Sequence, residues 1–420
     1  MNKPRKDTFD MTKKSMLKIF RDTARVRMGG TASELEAARY IQELCASFGG
    51  EAVIEPFAVQ MGDDISATLT VDGASIPCKG YMCCGTGEIS APLYYLRATD
   101  KYSLSECKDK IVLIDGYLGR WVYKDMLDNG ALAFITYDGH INYSDRDIDQ
   151  RELRAMVVAD DKKLLGVNIN AKDAVKLIKN DAKEAAITVS QNEYEGESRN
   201  VVLTLPGETD ETIVFTAHYD STSLSQGAYD NMSGSVGILA VAEHFAKVSH
   251  KRTLKFVWCG SEERGLLGSK AYVAAHEDEL ANVVLNINLD MIGCIMGKFI
   301  ACCTSEDKLV SYISYMADEL GFPVKPKQDV YSSDSTPFAD KGIPAVSFAR
   351  IAPGNTATIH NSYDTMALMK YENMAADIGF ITAFSERMVN AARCPVAREM
   401  PDNMKEELDY YLLRKRRPQK

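Results

Sequence analysis

The residues in this chain whose types and spacing could do chemistry gather in its second half, each just after a short apolar run. The run TIVFTA (212–217) leads into His218-Tyr219-Asp220. A loop then reaches Asp230-Asn231-Met232-Ser233-Gly234, which opens a helical pattern. TLKFVWC (253–259) leads into Gly260-Ser261-Glu262-Glu263, the run at 283–289 ends at Asp290, and Asp334 and His360 follow. In an open α/β sheet, ligands bind beyond the carboxyl ends of the strands. These separated segments would therefore deliver carboxylates and imidazoles to one rim. Two His with three acidic residues make a nitrogen and oxygen site for a borderline divalent metal, with zinc the first choice. Three acidic ligands exceed what one catalytic zinc takes, whereas one carboxylate shared by two ions ~3.5–4 Å apart would use them all. Taken singly, each residue has an ordinary reading: Asp230 as a helix N-cap, Asp290 as a cap or turn, the Glu pair as a solvated loop. Their recurrence at successive strand ends is what argues for a site.

The elements that must position these residues follow a regular alternation from Asn200 onward. Strands are expected at 200–205, 212–217, 253–259, 283–289, 297–303 and 344–349, with helices at 232–248, 266–276, 306–320 and 370–391. That order predicts an α/β fold with a mixed, largely parallel sheet sandwiched by helices. Upstream, residues 1–12 read as a polar arm, and Met16, Ile19 and Phe20 share a helical face. Thr31 and Glu34 have capping-box spacing ahead of a helical run that Gly49-Gly50 ends. Residues 51–60 and 65–71 read as strands, the second turning at Asp72-Gly73. The stretch 85–195 has a different texture, with strands at 110–115, 130–137, 166–169 and 186–190 and short helices at 123–128 and 171–179. It reads as a smaller α/β module, closed by a linker at 195–198. The expected domains are 1–84 and 196–395 as one unit, 85–195 inserted, and 396–420 as a charged helix with a basic tail.

Composition narrows the function. The 420 residues carry 49 Lys+Arg against 59 Asp+Glu, a net charge of −10, with an isoelectric point near 5.3. A general nucleic-acid binder wants a basic face instead. The longest apolar runs are too short to cross a bilayer, so no membrane partner is expected. The N-terminus lacks the apolar stretch of a secretory signal. The ten cysteines show no CxxC spacing, and reduced thiols in the cytoplasm are the expectation. His140, His244, His250 and His276 sit in a loop, mid-helix or at helix ends and are not candidates. GLLGS (265–269) lacks the GK[ST] of a phosphate loop. Ser233 has no nucleophile-elbow context.

The ordered segments AHYDS (217–221), YDNMSG (229–234), GSEERGLLGS (260–269), NLDMIG (288–293), SSDSTPF (332–338) and IHNSYDT (359–365) resemble those of the co-catalytic di-zinc aminopeptidases. That family also includes glutamate carboxypeptidase-type enzymes. The resemblance covers about residues 12–70 and 197–393 and implies a zinc exopeptidase fold. Residues 85–195 resemble a protease-associated (PA) domain, through KIVLID, GALAFITY and GVNINAKDAVKLI. Carried onto this sequence, the resemblance makes Asp230 the bridging carboxylate. His218 and Asp290 would complete one zinc, and Glu263 and His360 the other, with cobalt or manganese as substitutes. Glu262 would be the general base beside the metal-bound water, and Asp220 would orient His218. Asp334 and Asp364 would be outer or substrate-facing carboxylates, and Ser335 stands where the family often has His. The implied activity is removal of N-terminal residues from peptides. A carboxypeptidase or dipeptidase of the same family is the alternative and would need a cation for the terminal carboxylate, with Arg350 the candidate. A non-catalytic receptor-like scaffold, or a cyclase of N-terminal glutamine, fits a full ligand set less well.

Overall fold

The computed structural model describes residues 11–139, 141, 148–354 and 356–418. Most of the expected N-terminal arm, and His140, lie outside these residues. The chain divides into two compact units, 1–57 with 197–420 and 58–196. The second begins well before the expected boundary at 85, because β1 is one strand, Ala52–Val71, where two were read. Helices α1 (Lys13–Asp22) and α2 (Ala32–Ala46) precede it. Thr31 Oγ1 caps α2 by accepting from Glu34 N.

The 58–196 unit is built on β2 (Ala74–Ile76), β3 (Cys78–Gly80), β4 (Gly87–Leu96), β5 (Ile111–Ile114), β6 (Ala133–Asp138) and β7 (Leu165–Asn170), with short helices α3 (Lys101–Ser105), α4 (Arg120–Asp128) and α5 (Ala171–Lys179). β1 and β2 pair across Asp72-Gly73 as expected, with Val71 opposite Ala74. β4, β5, β6 and β7 are consecutive parallel neighbours. Their apolar faces form a core around Tyr81, Tyr123 and Phe134. β8 runs unbroken from Glu184 to Leu205. The linker expected at 195–198 is therefore strand. Its residues alternate between exposed and covered, which reads as polar punctuation when only the sequence is seen.

The remaining unit contains β9 (Thr209–His218), α6 (Ser233–Phe245), β10 (Arg252–Cys259), α7 (Leu267–Ala275), β11 (Val283–Leu289), β12 (Lys298–Thr304), α8 (Asp307–Leu320), β13 (Val324–Gln328), α9 (Ser335–Asp340), β14 (Ala345–Ile351), α10 (Tyr371–Asn390) and α11 (Asp402–Tyr411). Its strand order is β13-β12-β14-β11-β9-β10-β8. β10, β9, β11 and β14 run parallel, while β8 and β12 enter antiparallel. This is the mixed, largely parallel sheet the alternation predicted. The C-terminal α11 packs Met404 and Leu408 against Ala339 and Ala345 and so belongs to this unit. The chain leaves β9 for β10 on one side and then crosses to β11 on the other. Such a reversal opens a crevice at the carboxyl ends. Beneath it, Phe215, Phe256, Trp258 and Ile287 pack with α6 and α10 in one apolar cluster. α6 approaches closely because Gly234 has no side chain: a Cβ there would lie 2.2 Å from Leu289 O.

Candidate metal centre

Three neighbouring strands end at the crevice and each delivers candidate ligands. β9 ends on His218, with Tyr219 and Asp220 following. β11 ends at Leu289, and Asp290 is the next residue. β10 ends at Cys259, and the turn to α7 carries Glu262 and Glu263. Asp230 lies in a π-type turn (Ala228–Met232) with non-helical backbone angles. It is not the N-cap of α6, which starts at Ser233. His360 comes from the loop after β14. Ser261, Met291 and His360 all have φ between 53° and 64°. This left-handed conformation is costly for residues with a Cβ and recurs at functional sites.

The structure brings these side chains into one cluster. His218 Nε2 lies 3.1 Å from Asp230 Oδ1, 3.7 Å from Asp290 Oδ1 and 3.9 Å from Glu262 Oε2. His360 Nε2 lies 3.0 Å from Asp230 Oδ2 and 3.1 Å from Glu263 Oε2. Two triads result, His218-Asp230-Asp290 and Asp230-Glu263-His360, each with ligand atoms within 4.8 Å of one another. Asp230 is common to both and turns a different oxygen toward each histidine. The first triad is buried, whereas the His360 side chain is 46% exposed, so the cluster opens to solvent on that side.

The electrostatics show an excess of negative charge. Burial works against a charged His218, yet Glu262, Asp220, Asp230 and Asp290 outweigh it and hold the imidazole well above its usual range. Burial likewise opposes a charged His360, but Glu263 and Asp230 push it up to about 12. Burial would raise Asp230, but the two imidazoles reverse this and hold it low. Glu262 is pushed well up by burial and by Glu263, Asp334 and Asp290. Asp290 Oδ1 and Glu263 Oε1 are buried without a hydrogen-bond partner among the described residues. Buried orphaned carboxylate oxygens are costly unless paired or metal-bound. Nitrogen and carboxylate donors converging with unsatisfied oxygens fit a pair of divalent cations.

The backbone around the candidate ligands is held by Asp220, read in the sequence as the partner of His218, and by Asp364 and Asn231, whose contacts the sequence does not specify. Asp220 Oδ1 lies 3.3 Å from His218 Nδ1, and the same carboxylate accepts from Glu262 N at 3.0 Å and Glu263 N at 3.3 Å. One residue thus faces an imidazole and fixes the backbone of the neighbouring acidic pair. Asp364 accepts from Tyr229 N at 2.8 Å and Asp230 N at 3.0 Å. Asn231 brackets Asp290, donating to Leu289 O at 2.9 Å and accepting from Met291 N at 3.0 Å. Asp334 is buried with both oxygens unpartnered among the described residues, and burial pushes it up to about 7. Ser335 shares a hydrogen bond with Ser347. Arg350 is committed elsewhere, donating from Nε to Asp377 Oδ2 at 2.9 Å and stacking on Phe299. His244 and His276 meet Glu386 and Glu55, and His250 meets the Arg252 carbonyl, away from the cluster.

Residues 200–382 match the sequence model of Peptidase family M28. The chain is 28% identical to Aminopeptidase YwaD of Bacillus subtilis over 341 residues, covering 77% of this chain and 71% of that protein. It is 38% identical to Leucine aminopeptidase 1 of Chaetomium globosum over 109 residues, covering 23% of this chain and 27% of that protein. Its fold is similar to that of a zinc aminopeptidase from Bacillus subtilis, with a TM-score of 0.78 and 23% identity over 94% of this chain and 98% of that one.

Proposed function

We propose that this chain, whose residues 200–382 match the sequence model of peptidase family M28, is a metal-dependent aminopeptidase that removes N-terminal residues from peptides. The observation that carries the reading is Asp230, whose two oxygens each meet a different imidazole. His218, Asp230 and Asp290 would hold one zinc ion, and Asp230, Glu263 and His360 a second. Cobalt or manganese suits the same donors. Bound ions of this kind acidify water and polarise the scissile carbonyl. Glu262 takes the proton of the attacking water and returns it to the amine nitrogen as the new C–O bond forms and the C–N bond breaks. Asp220 serves this step twice, by keeping His218 in one tautomer and by fixing the Glu262 backbone.

A carboxypeptidase would need a free cation for the terminal carboxylate. Arg350, the residue considered for that role, is already bonded to Asp377. The aminopeptidase reading is therefore preferred. The 58–196 unit is assigned as the PA-like insert. All ten cysteines are unpaired, which favours a reducing compartment such as the cytoplasm.

The test is Glu262→Ala. The variant should retain two zinc ions per chain while hydrolysis falls ~10²–10⁴-fold. Full activity in that variant would contradict the assigned role. Dipeptides blocked at one end separate the two exopeptidases: cleavage should need a free amine and tolerate a blocked carboxyl.

A further inference from the structure

Arg27 lies outside every motif read in the sequence, yet its side chain is entirely buried. It follows α1 and reaches into the loop between His218 and Asp230. Nε donates to Tyr219 O at 2.8 Å. Nη1 donates to Gln226 O at 2.6 Å, as well as to Thr23 O at 2.7 Å and Arg25 O at 2.8 Å, and Nη2 donates to Gly227 O at 3.2 Å. The backbone adds to this grip. Arg27 N donates to Ser221 Oγ at 3.0 Å, Ser221 N donates to Arg27 O at 3.2 Å, and Ser221 Oγ donates to Ser225 O at 2.9 Å.

The pattern has a geometric meaning. Tyr219 directly follows His218, and Gly227 directly precedes the turn that carries Asp230. One guanidinium therefore holds both ends of the loop that separates two ligands. A planar fork with fixed donors can do this, whereas the point charge of a lysine cannot. Carbonyl oxygens supply all its hydrogen bonds, and the carboxylates whose charges support it are Asp220 and Asp364. Those two carboxylates are the ones that fix His218 and the Asp230 backbone. Burial lowers the Arg27 basicity only to about 10, so it stays charged at neutral pH.

We propose that Arg27 is a positioning residue of the metal centre, setting the separation of His218 and Asp230 by clamping both ends of the loop between them. The proposal rests on the metallopeptidase reading above. The experiment compares the full-length chain with Arg27→Lys and Arg27→Met, measuring zinc affinity by equilibrium competition with a chromophoric chelator well below the melting temperature. Both variants should bind zinc 10–100-fold more weakly, the usual cost of losing a residue that orients ligands. At saturating zinc, kcat should fall while KM stays near that of the parent. Lys should not rescue.

A merely structural role would lower the melting temperature and leave the zinc affinity of the folded protein unchanged. That result would overturn the proposal. Failure of the unsubstituted chain to bind zinc would instead sink the metallopeptidase reading. Should neither Arg27 variant fold, Gly227→Ala probes the same clamp from its other side. The added Cβ would lie 2.6 Å from Asp230 O and 3.0 Å from Arg27 Nη2. Weakened zinc binding there supports the clamp, and parental affinity overturns it.

Discussion

Both units set parallel strands side by side and end them in polar residues, but they treat the resulting charge differently. In the 58–196 unit, β6 ends at Asp138, which accepts from Arg151, from Asn168 Nδ2 and from Asp149 N. Beside it, Tyr81, Thr136 and Asn168 form a closed hydrogen-bonded chain. In the other unit, the residues beyond β9, β10 and β11 form a cluster whose ionic neighbours are imidazoles, with oxygens on Asp290 and Glu263 that have no hydrogen-bond partner among the described residues. A strand-end carboxylate that has its own cation stabilises a fold. Carboxylates that converge without one are poised for a cation from solution. The parallel strand end alone therefore does not mark a site; the unbalanced charge does.

The largest effect should separate the two strand ends directly. Asp230→Asn would remove the shared negative charge, and zinc binding at both positions and hydrolysis should fall together, with activity down ~10³-fold or more on the scale of a lost catalytic metal. Asp138→Asn would alter a partnered carboxylate and should leave zinc stoichiometry and kcat unchanged, at a stability cost of about 1–3 kcal/mol from the disturbed pair. Zinc analysis and steady-state kinetics on both variants decide the matter. Equal loss of zinc in the two would erase the contrast.

Removing metal should sharpen the same comparison. A chelator should destabilise the unit that holds the ligands and spare the other. At free zinc 100–1,000 times the dissociation constant, binding contributes about 2.7–4.1 kcal/mol. Hydrogen exchange should therefore quicken around 218–230, 260–263 and 290 on zinc removal, while β5 to β7 keep their protection. Uniform quickening throughout would show that the two units unfold as one.

A smaller effect is expected from Asp364→Asn. The carboxylate receives two backbone N–H groups that fix Asp230. An amide offers one acceptor oxygen and turns a donor toward the second N–H. The stability loss should be about 1–3 kcal/mol, with kcat lowered ~10-fold as for other residues that orient ligands. Parental kinetics in a less stable variant would reduce Asp364 to a purely structural role.

Much of the sheet, and the strand-end placement of several candidate ligands, were legible because they depend on short-range pattern. Apolar runs define β9, β10 and β11, and His218, Glu262, Glu263 and Asp290 lie at or just past their ends, whereas Asp230 and His360 come from loops. What was not legible depends on tertiary approach. Arg27, Asn231 and the double duty of Asp220 have no periodicity or spacing to announce them, since their partners are backbone atoms of distant loops. The long strands were missed for another reason. The segment around Gly196 reads as polar punctuation, yet it remains strand, and a Cβ at Gly196 would meet Met61 Cγ at 2.5 Å. β4 also escaped, because its half-exposed alternation carries only a weak hydrophobic pattern.

Glu34 offers a test confined to stability, because it is a fully buried carboxylate that does have partners. Its spacing from Thr31 suggested a capping box, but its oxygens go to Gly30 N at 2.8 Å, Ser198 Oγ at 2.5 Å and Arg199 Nη1 at 3.3 Å. Burial nevertheless prevails and raises the carboxyl to about 7 from an ordinary 4.5. The folded state thus holds a proton that the unfolded state releases at lower pH. The stabilisation from that proton is complete below pH 4.5 and is lost as pH rises toward 7. Across that window it amounts to roughly 3 kcal/mol, at 1.36 kcal/mol per unit. Glu34→Gln mimics the neutral form and should show none of this decline. Urea unfolding of both proteins from pH 4 to pH 8 measures the difference and cancels titrations the two share. The parent should lose stability relative to the variant as pH rises. Parallel curves would mean that the partners of Glu34 outweigh its burial, making it a charge-balanced group like Asp138 rather than one held neutral by the fold.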